Sequence, residues 1–199
     1  ADADRATPPE DAVRERLLAP LATLQQWAQL QGNAALASTC QRFARQTQSG
    51  TARTLHGPTG ESNVYTLAPR ARVLCLAQSV DDLLVQTAAV LASGGTALWP
   101  NTQANQRAKL PTLVQAQVLL QDNALNDGTL ALDAVLHHGD TPSLQAVCTA
   151  LTRRAGPIVG VTALQPGATD IPLERLMIER ALSVNTAAAG GNASLMTIG

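Results

Sequence analysis

The chain has 199 residues, with 14 Lys and Arg against 15 Asp and Glu and a formal net charge of −1. That balance, with no block of like charge, leaves no electrostatic footprint for nucleic acid or an anionic membrane. The length suits one domain with a real core, and no apolar run approaches the roughly 20 residues that cross a bilayer.

Aromatics are only 2% of the chain, so its core must come from Ala, Leu and Val, which suit packed helices and buried parallel strands. The N-terminus, ADADRATPP, has no basic-then-apolar signal pattern. It lacks an initiator Met, as expected of a piece of a longer chain. Cys40, Cys75 and Cys148 are scattered and odd in number. This argues against a disulfide framework and for a reducing, cytoplasmic setting. Their spacings match no metal site, and each sits in an apolar or helical pattern that predicts burial.

Residues 10–49 read as helical. Val13, Leu17, Leu18, Leu21, Leu24 and Trp27 recur at helical spacing, and Pro20 predicts a kink or a split. Gly32-Asn33 is a stop, and a second helix from Ala34 is expected to end near Gly50. Residues 50–63 read as a loop closing in GPTGESN. Its two glycines raise a phosphate loop, but the Lys-Ser/Thr ending and a preceding strand are missing, which favours an ordered turn.

The clearest unit follows. ARVLCLA, residues 71–77, is a β-prone run. Ser79 is placed as the N-cap of a helix whose apolar face is Leu83, Leu84, Thr87, Val90 and Leu91. Gly94-Gly95 ends that helix, and residues 96–99 form a second strand stopped by Pro100. Strand, helix and strand within about 30 residues is a βαβ crossover and implies a parallel sheet. The rhythm continues with strands at 117–120 and 132–136, a helix opened by Pro142, and a strand at 157–161. The fold class is therefore α/β, Rossmann-like, with a mostly parallel doubly wound sheet preceded by two helices. Residues 172–185 fit both a helix and an alternating strand through Leu176, Ile178, Leu182 and Val184.

Two places could hold chemistry. The first βα junction, residues 76–81, lacks G-x-G-x-x-G, and Asp81 and Asp82 would repel a pyrophosphate. His137-His138-Gly139-Asp140 lies at a strand end, where an imidazole pair beside a carboxylate could ligate metal or shuttle protons. No further ligand completes such a site, which favours a turn with exposed imidazoles. His56 reads as a loop residue. Ser183 and Ser194 have no visible His/Asp partnership for a triad.

The last seventeen residues, from Ser183, carry no acid or base. Apolar runs at 187–189 and 195–198 flank Gly190-Gly191-Asn192. A solvated terminus would carry charge and proline, so this tail is expected to lie on another surface as an extended strand. Asn185 and Asn192 are expected to cap or turn its backbone.

The run IPLERLMIERALSVNTAAAGGNASLM, residues 171–196, resembles the C-terminal motif of the long forms of the bacterial PutA family. Three further segments are similar to the same C-terminal domain, which itself resembles the aldehyde dehydrogenase superfamily. They are GPTGESN with PRARVLCL (57–63 and 69–76), AAVLASGGTALW (88–99), and LDAVLHHG with GPIV (132–139 and 156–159). The resemblance spans residues 50–199. It departs from the family at Ala71, where Gly is expected, and at Gly139-Asp140, which replaces the Gly-Ser of active aldehyde dehydrogenases. No segment resembles their nucleophilic Cys or general-base Glu regions.

The resemblance implies a helical connector over 1–50, a Rossmann-like domain lacking the catalytic half over 51–168, and a C-terminal flap and tail over 169–199. It implies a parent that oxidises proline with FAD and glutamate semialdehyde with NAD, in the cytoplasm or peripheral to the inner membrane. The segment itself is then expected to hold no cofactor, metal or catalytic residue. Its role would be structural, packing on the dehydrogenase module of the same polypeptide and helping to seal a substrate channel. Asn185, Thr186, Gly190, Gly191, Asn192, Leu195, Met196 and Ile198 would make that interdomain contact. Two readings compete: a degenerate NAD-binding domain, and an autonomous protein-interaction module.

Overall fold

The computed structural model describes residues 10–56 and 61–185. The GPTG turn at 57–60 and the tail contacts Thr186, Gly190, Gly191, Asn192, Leu195, Met196 and Ile198 lie outside the described residues.

The chain opens with a helical hairpin. Helix α1, Glu10–Leu30, is continuous through Pro20, so of the expected kink or split the split does not occur. The proline removes one helical donor, but the carbonyl it would have served belongs to exposed Arg16. Burial of Leu21, Leu24 and Ala28 holds the following turns. Asn33 caps helix α2, Ala34–Gln46, its side chain accepting from Leu36 N. The helix stops four residues short of Gly50 because Thr47 turns extended. There the Thr47 hydroxyl donates to Ala92 O at 2.6 Å and the Ser49 hydroxyl to Ser93 O at 2.9 Å.

Residues expected to be a loop begin an antiparallel sheet. Strand β1, Ala52–Leu55, pairs with β2, Glu61–Pro69. The outer partner of β2 is β8, Met177–Asn185. The ambiguous 172–185 segment thus resolves into one 3₁₀ turn, Leu173–Leu176, and a nine-residue strand. Asn185 is extended in that strand, opposite Glu61, rather than turning the backbone. We call this three-stranded sheet the flap.

The second sheet is the expected parallel one. Its strands are β3 (Arg72–Ala77), β4 (Thr96–Trp99), β5 (Val118–Leu120), β6 (Ala134–His138) and β7 (Gly160–Leu164), in the order β5-β4-β3-β6-β7. The chain starts in the middle, winds one way through β4 and β5, then returns to wind the other way through β6 and β7. The reversal puts a switch point between the carboxyl ends of β3 and β6. Strands β6 and β7 sit two to three residues later than their apolar patterns suggested. Their register against neighbours sets the ends, with Val73 opposite Ala134 and Ala134 opposite Gly160.

Helix α3, Val80–Ser93, crosses from β3 to β4. Ser79 caps it as expected, its hydroxyl accepting from Asp82 N at 3.0 Å, and Gly94 ends it in a left-handed turn. Short helices α4 (Ala104–Arg107) and α5 (Thr112–Gln115) lead to β5, and α6, Thr141–Thr152, connects β6 to β7. One core joins α1, α2 and α3 to one face of the parallel sheet through Leu24, Phe43, Leu91, Trp99 and Leu136. A smaller one, with Leu74, Leu98, Val135 and Val147, lies under α6 on the other face. Among the described residues, no helix is long and apolar enough to cross a membrane. Cys40 and Cys75 are buried as expected, and burial pushes the Cys40 thiol up to about 12. Cys148 is not: it is exposed, on the outer side of α6.

Candidate functional site

The first candidate is the strand-end crevice between β3 and β6. His137 and His138 are the last two residues of β6 and are 5% and 2% exposed. The expectation of a turn with exposed imidazoles is therefore wrong. The apolar run extends two residues further than its composition suggests, because β3 pairs with β6 through Ala77 opposite His138.

Adjacent strand residues point to opposite faces, so the two rings diverge and cannot converge on one ion. Among the described residues, no group of three or more His, Cys, Asp or Glu could hold a metal. His138 faces α3. Gln86, fully buried, places its amide nitrogen 2.9 Å from Leu76 O and 2.8 Å from His138 Nδ1. That nitrogen donates to both, so Nδ1 is an acceptor and the His138 proton is on Nε2. Nε2–H then donates to Ala168 O at 2.8 Å.

His137 faces α6. Burial is the main cause holding its pKa below the usual imidazole value. His138 adds to the lowering, and Asp140 opposes it. Gly139 is needed beside it: a Cβ there would sit 2.6 Å from His137 Cε1 and 2.7 Å from Ser143 Oγ. Asp140 caps α6, its carboxylate accepting from Ser143 N at 2.9 Å. The Ser143 hydroxyl, then the Ser143 backbone N–H, hold the carboxyl below its usual range.

A dinucleotide bound at this switch point would set its pyrophosphate on the N-terminus of α3. The residues there do not fit that group. Ser79 already accepts from Asp82 N, Asp81 and Asp82 bring negative charge, and Gly167 N lies 2.9 Å from the Asp82 carboxylate. The chain between β7 and the 3₁₀ turn thus runs across the crevice.

The second candidate is the flap. Alternation divides its residues between two faces. One carries Ala52, Val64, Ala68, Ile178, Leu182 and Val184 together with Arg180 and Thr66. Leu182 is 61% exposed and Val184 45% exposed. The other face lines a groove of about 650 Å³ with Tyr65, Leu67, Met177 and Glu179 against Ile171 and Pro172. Desolvation, then the carboxylate of Glu179, pushes the Tyr65 phenol above its ordinary pKa. Strand β8 is an edge strand of this sheet, all of its residues from Glu179 to Asn185 are exposed, and Asn185 leads directly into the uncharged tail. Arg70 fixes the flap's base, with Nε on Arg175 O at 2.9 Å and Nη1 on Asp133 O at 3.0 Å.

Sequence reasoning left the β8 segment open between helix and strand and pointed to the strand ends, but missed Gln86, Gly167 and Ala168. Gln86 left one signal, a polar residue within the apolar spacing from Leu83 to Val90. Backbone partners at Gly167 and Ala168 leave none.

Comparison with known proteins supports the architecture. No family model matches the chain. It is 49% identical over 200 residues to the bifunctional protein PutA of Salmonella typhimurium, covering 98% of this chain and 15% of that protein. It is 46% identical over 198 residues to PutA of Escherichia coli K12, with the same coverage of each, and 37% identical over 152 residues to PutA of Rhizobium meliloti. Among solved structures, a proline utilization A protein with bound proline aligns over 81% of this chain and 22% of its own, at 19% identity and a TM-score of 0.56. A Bradyrhizobium japonicum proline utilization A aligns over the same shares at 20% identity and a TM-score of 0.55. These structures support the fold alone. The chain spans about 15% of the length of the curated relatives it matches, and that sequence match fits it to a domain of the PutA proteins.

Proposed function

We propose that the chain is a non-catalytic, structural domain of a bifunctional proline-oxidising polypeptide. In this reading the parent converts proline to glutamate, using FAD for the first oxidation and NAD for the second. The domain packs its flap and tail on the NAD-dependent semialdehyde dehydrogenase module of the same polypeptide and helps to close the channel between the two active sites. Residues 169–199 do this work, through Asn185, Thr186, Gly190, Gly191, Asn192, Leu195, Met196 and Ile198. The parallel sheet and helical hairpin serve as their platform.

The observation that carries the reading is the unfinished flap. A face with Leu182 and Val184 exposed, on a strand that is the edge of its sheet among the described residues, is a surface that soluble proteins cover. Edge pairing would supply backbone hydrogen bonds, and burying those two side chains would contribute about 1.5–3 kcal/mol each before ordering costs.

Deleting residues 186–199 in the full-length polypeptide tests this. NADH formation from proline should gain a lag, because the intermediate escapes. A lag-free time course at unchanged rate would refute the proposal. Titrating NAD into the domain addresses the degenerate-cofactor reading, for which saturable micromolar binding is the required result.

A further inference from the structure

The chain between β7 and the 3₁₀ turn is held in an unusual way. Four consecutive residues each make a polar contact with α3, β6 or α2. Gly167 N donates to the Asp82 carboxylate of α3 at 2.9 Å. Ala168 O accepts from His138 Nε2 of β6 at 2.8 Å. Thr169 O accepts from Arg42 Nη2 of α2 at 2.5 Å, and the Asp170 carboxylate takes Arg42 Nη1 at 3.3 Å. Gly167 has φ +81°, which lets the chain turn to present successive backbone groups. Ile171, Leu173 and Leu176 follow at once, each 6% exposed or less, and plug into the core beside α3. Strand β8 begins at the next residue.

Asp82 and His138 are 6% and 2% exposed. Buried polar groups of this kind are costly unless bonded, and here the Asp82 carboxylate and His138 Nε2–H both bond to backbone of this one segment. Gln86 acts through His138: its amide fixes the tautomer that leaves Nε2–H free to donate. Loops that cross a surface usually have few such ties. This one is tied to three separate elements just before it launches the flap.

We propose that residues 165–172 form a strap that transmits the position of the parallel sheet to the flap, and that Asp82, His138 and Arg42 are its positioning residues. The strand-end crevice thereby serves as the flap's anchor. The inference concerns the strap itself. It rests on the proposed function only in expecting that a displaced flap disturbs coupled turnover.

Amide hydrogen exchange in the full-length polypeptide tests it, comparing wild type with Asp82→Ala, Asp82→Asn and Arg42→Ala. Arg42 is partly exposed, so its variant should fold even if Asp82→Ala does not. Both alanine variants should speed exchange across residues 165–185 by about tenfold, with β3 and α3 unchanged. Asp82→Asn keeps an acceptor oxygen for Gly167 N and should restore protection. Faster exchange confined to 165–170, or spread evenly over the domain, would overturn the proposal, as would no restoration by Asn. Coupled proline-to-NADH turnover is read on the same samples. A flap loosened without any lag would uphold the strap and count against the flap's assigned role.

Discussion

The strand-end crevice and the flap occupy the same chain but are finished to different degrees. In the crevice, Asp82, Gln86 and His138 are nearly inaccessible and bonded to the chain's own backbone. In the flap, β8 exposes every residue from Glu179 onward and leaves Leu182 and Val184 uncovered. The fold class would put a ligand in the crevice. This chain has instead used that place for internal structure, and its unfinished surface lies elsewhere.

The sharpest way to separate the regions is to damage each and compare. Leu136, 0% exposed beneath the crevice, should cost about 2–5 kcal/mol when changed to Ala, by lost burial and the cavity left behind. Thermal unfolding of the chain would register it. Gly139→Ala should cost about 1–3 kcal/mol, because its Cβ would press into His137 and Ser143. A stability unchanged by that methyl group would mean the crevice is looser than described.

Acidification should also act through the crevice. The folded pKa of His137 lies below its ordinary value of 6.5. Well above 6.5 both states are neutral and the folded state keeps its full stability. As pH falls past 6.5 the unfolded chain takes up a proton that the folded chain does not, and stability drops until the lower folded pKa is passed. The Asp140 carboxyl, depressed from 3.8, adds a loss of the same direction at lower pH, as it too becomes protonated. Denaturant titrations from pH 7 to pH 5 should show the decline, and His137→Phe should flatten it.

The smallest stability effect belongs to the flap. Leu182→Ser and Val184→Ser should each change unfolding free energy by no more than about 0.5 kcal/mol, since both are exposed in the chain alone.

Local signals were legible in the sequence, and distant pairings were not. Ser79, Gly94 and the apolar spacing of α3 marked that helix from the residues beside it. The parallel sheet followed from one βαβ unit. Strand β2 escaped notice because one of its two partners, β8, lies more than 100 residues away, at 177–185, and β1 because all four of its residues are exposed and give no apolar alternation. The ends of β6 and β7 are set by neighbouring strands, so composition placed them early. The histidine pair was misjudged for a related reason. An imidazole reads as a surface group until a buried amide and a carbonyl are brought to it, and Gln86 and Ala168 reach His138 only through the fold. Of the kink or split that Pro20 predicted, tertiary packing overrode the split.

The central claim is that the flap's apolar face serves another module while the crevice serves the fold. The most direct test is the time course of NADH formation from proline by the full-length polypeptide carrying Leu182→Glu and Val184→Glu. A lag absent from the wild type, with the melting temperature of the 199-residue chain alone unchanged, is the predicted result. A lag-free course at the wild-type rate would contradict the claim.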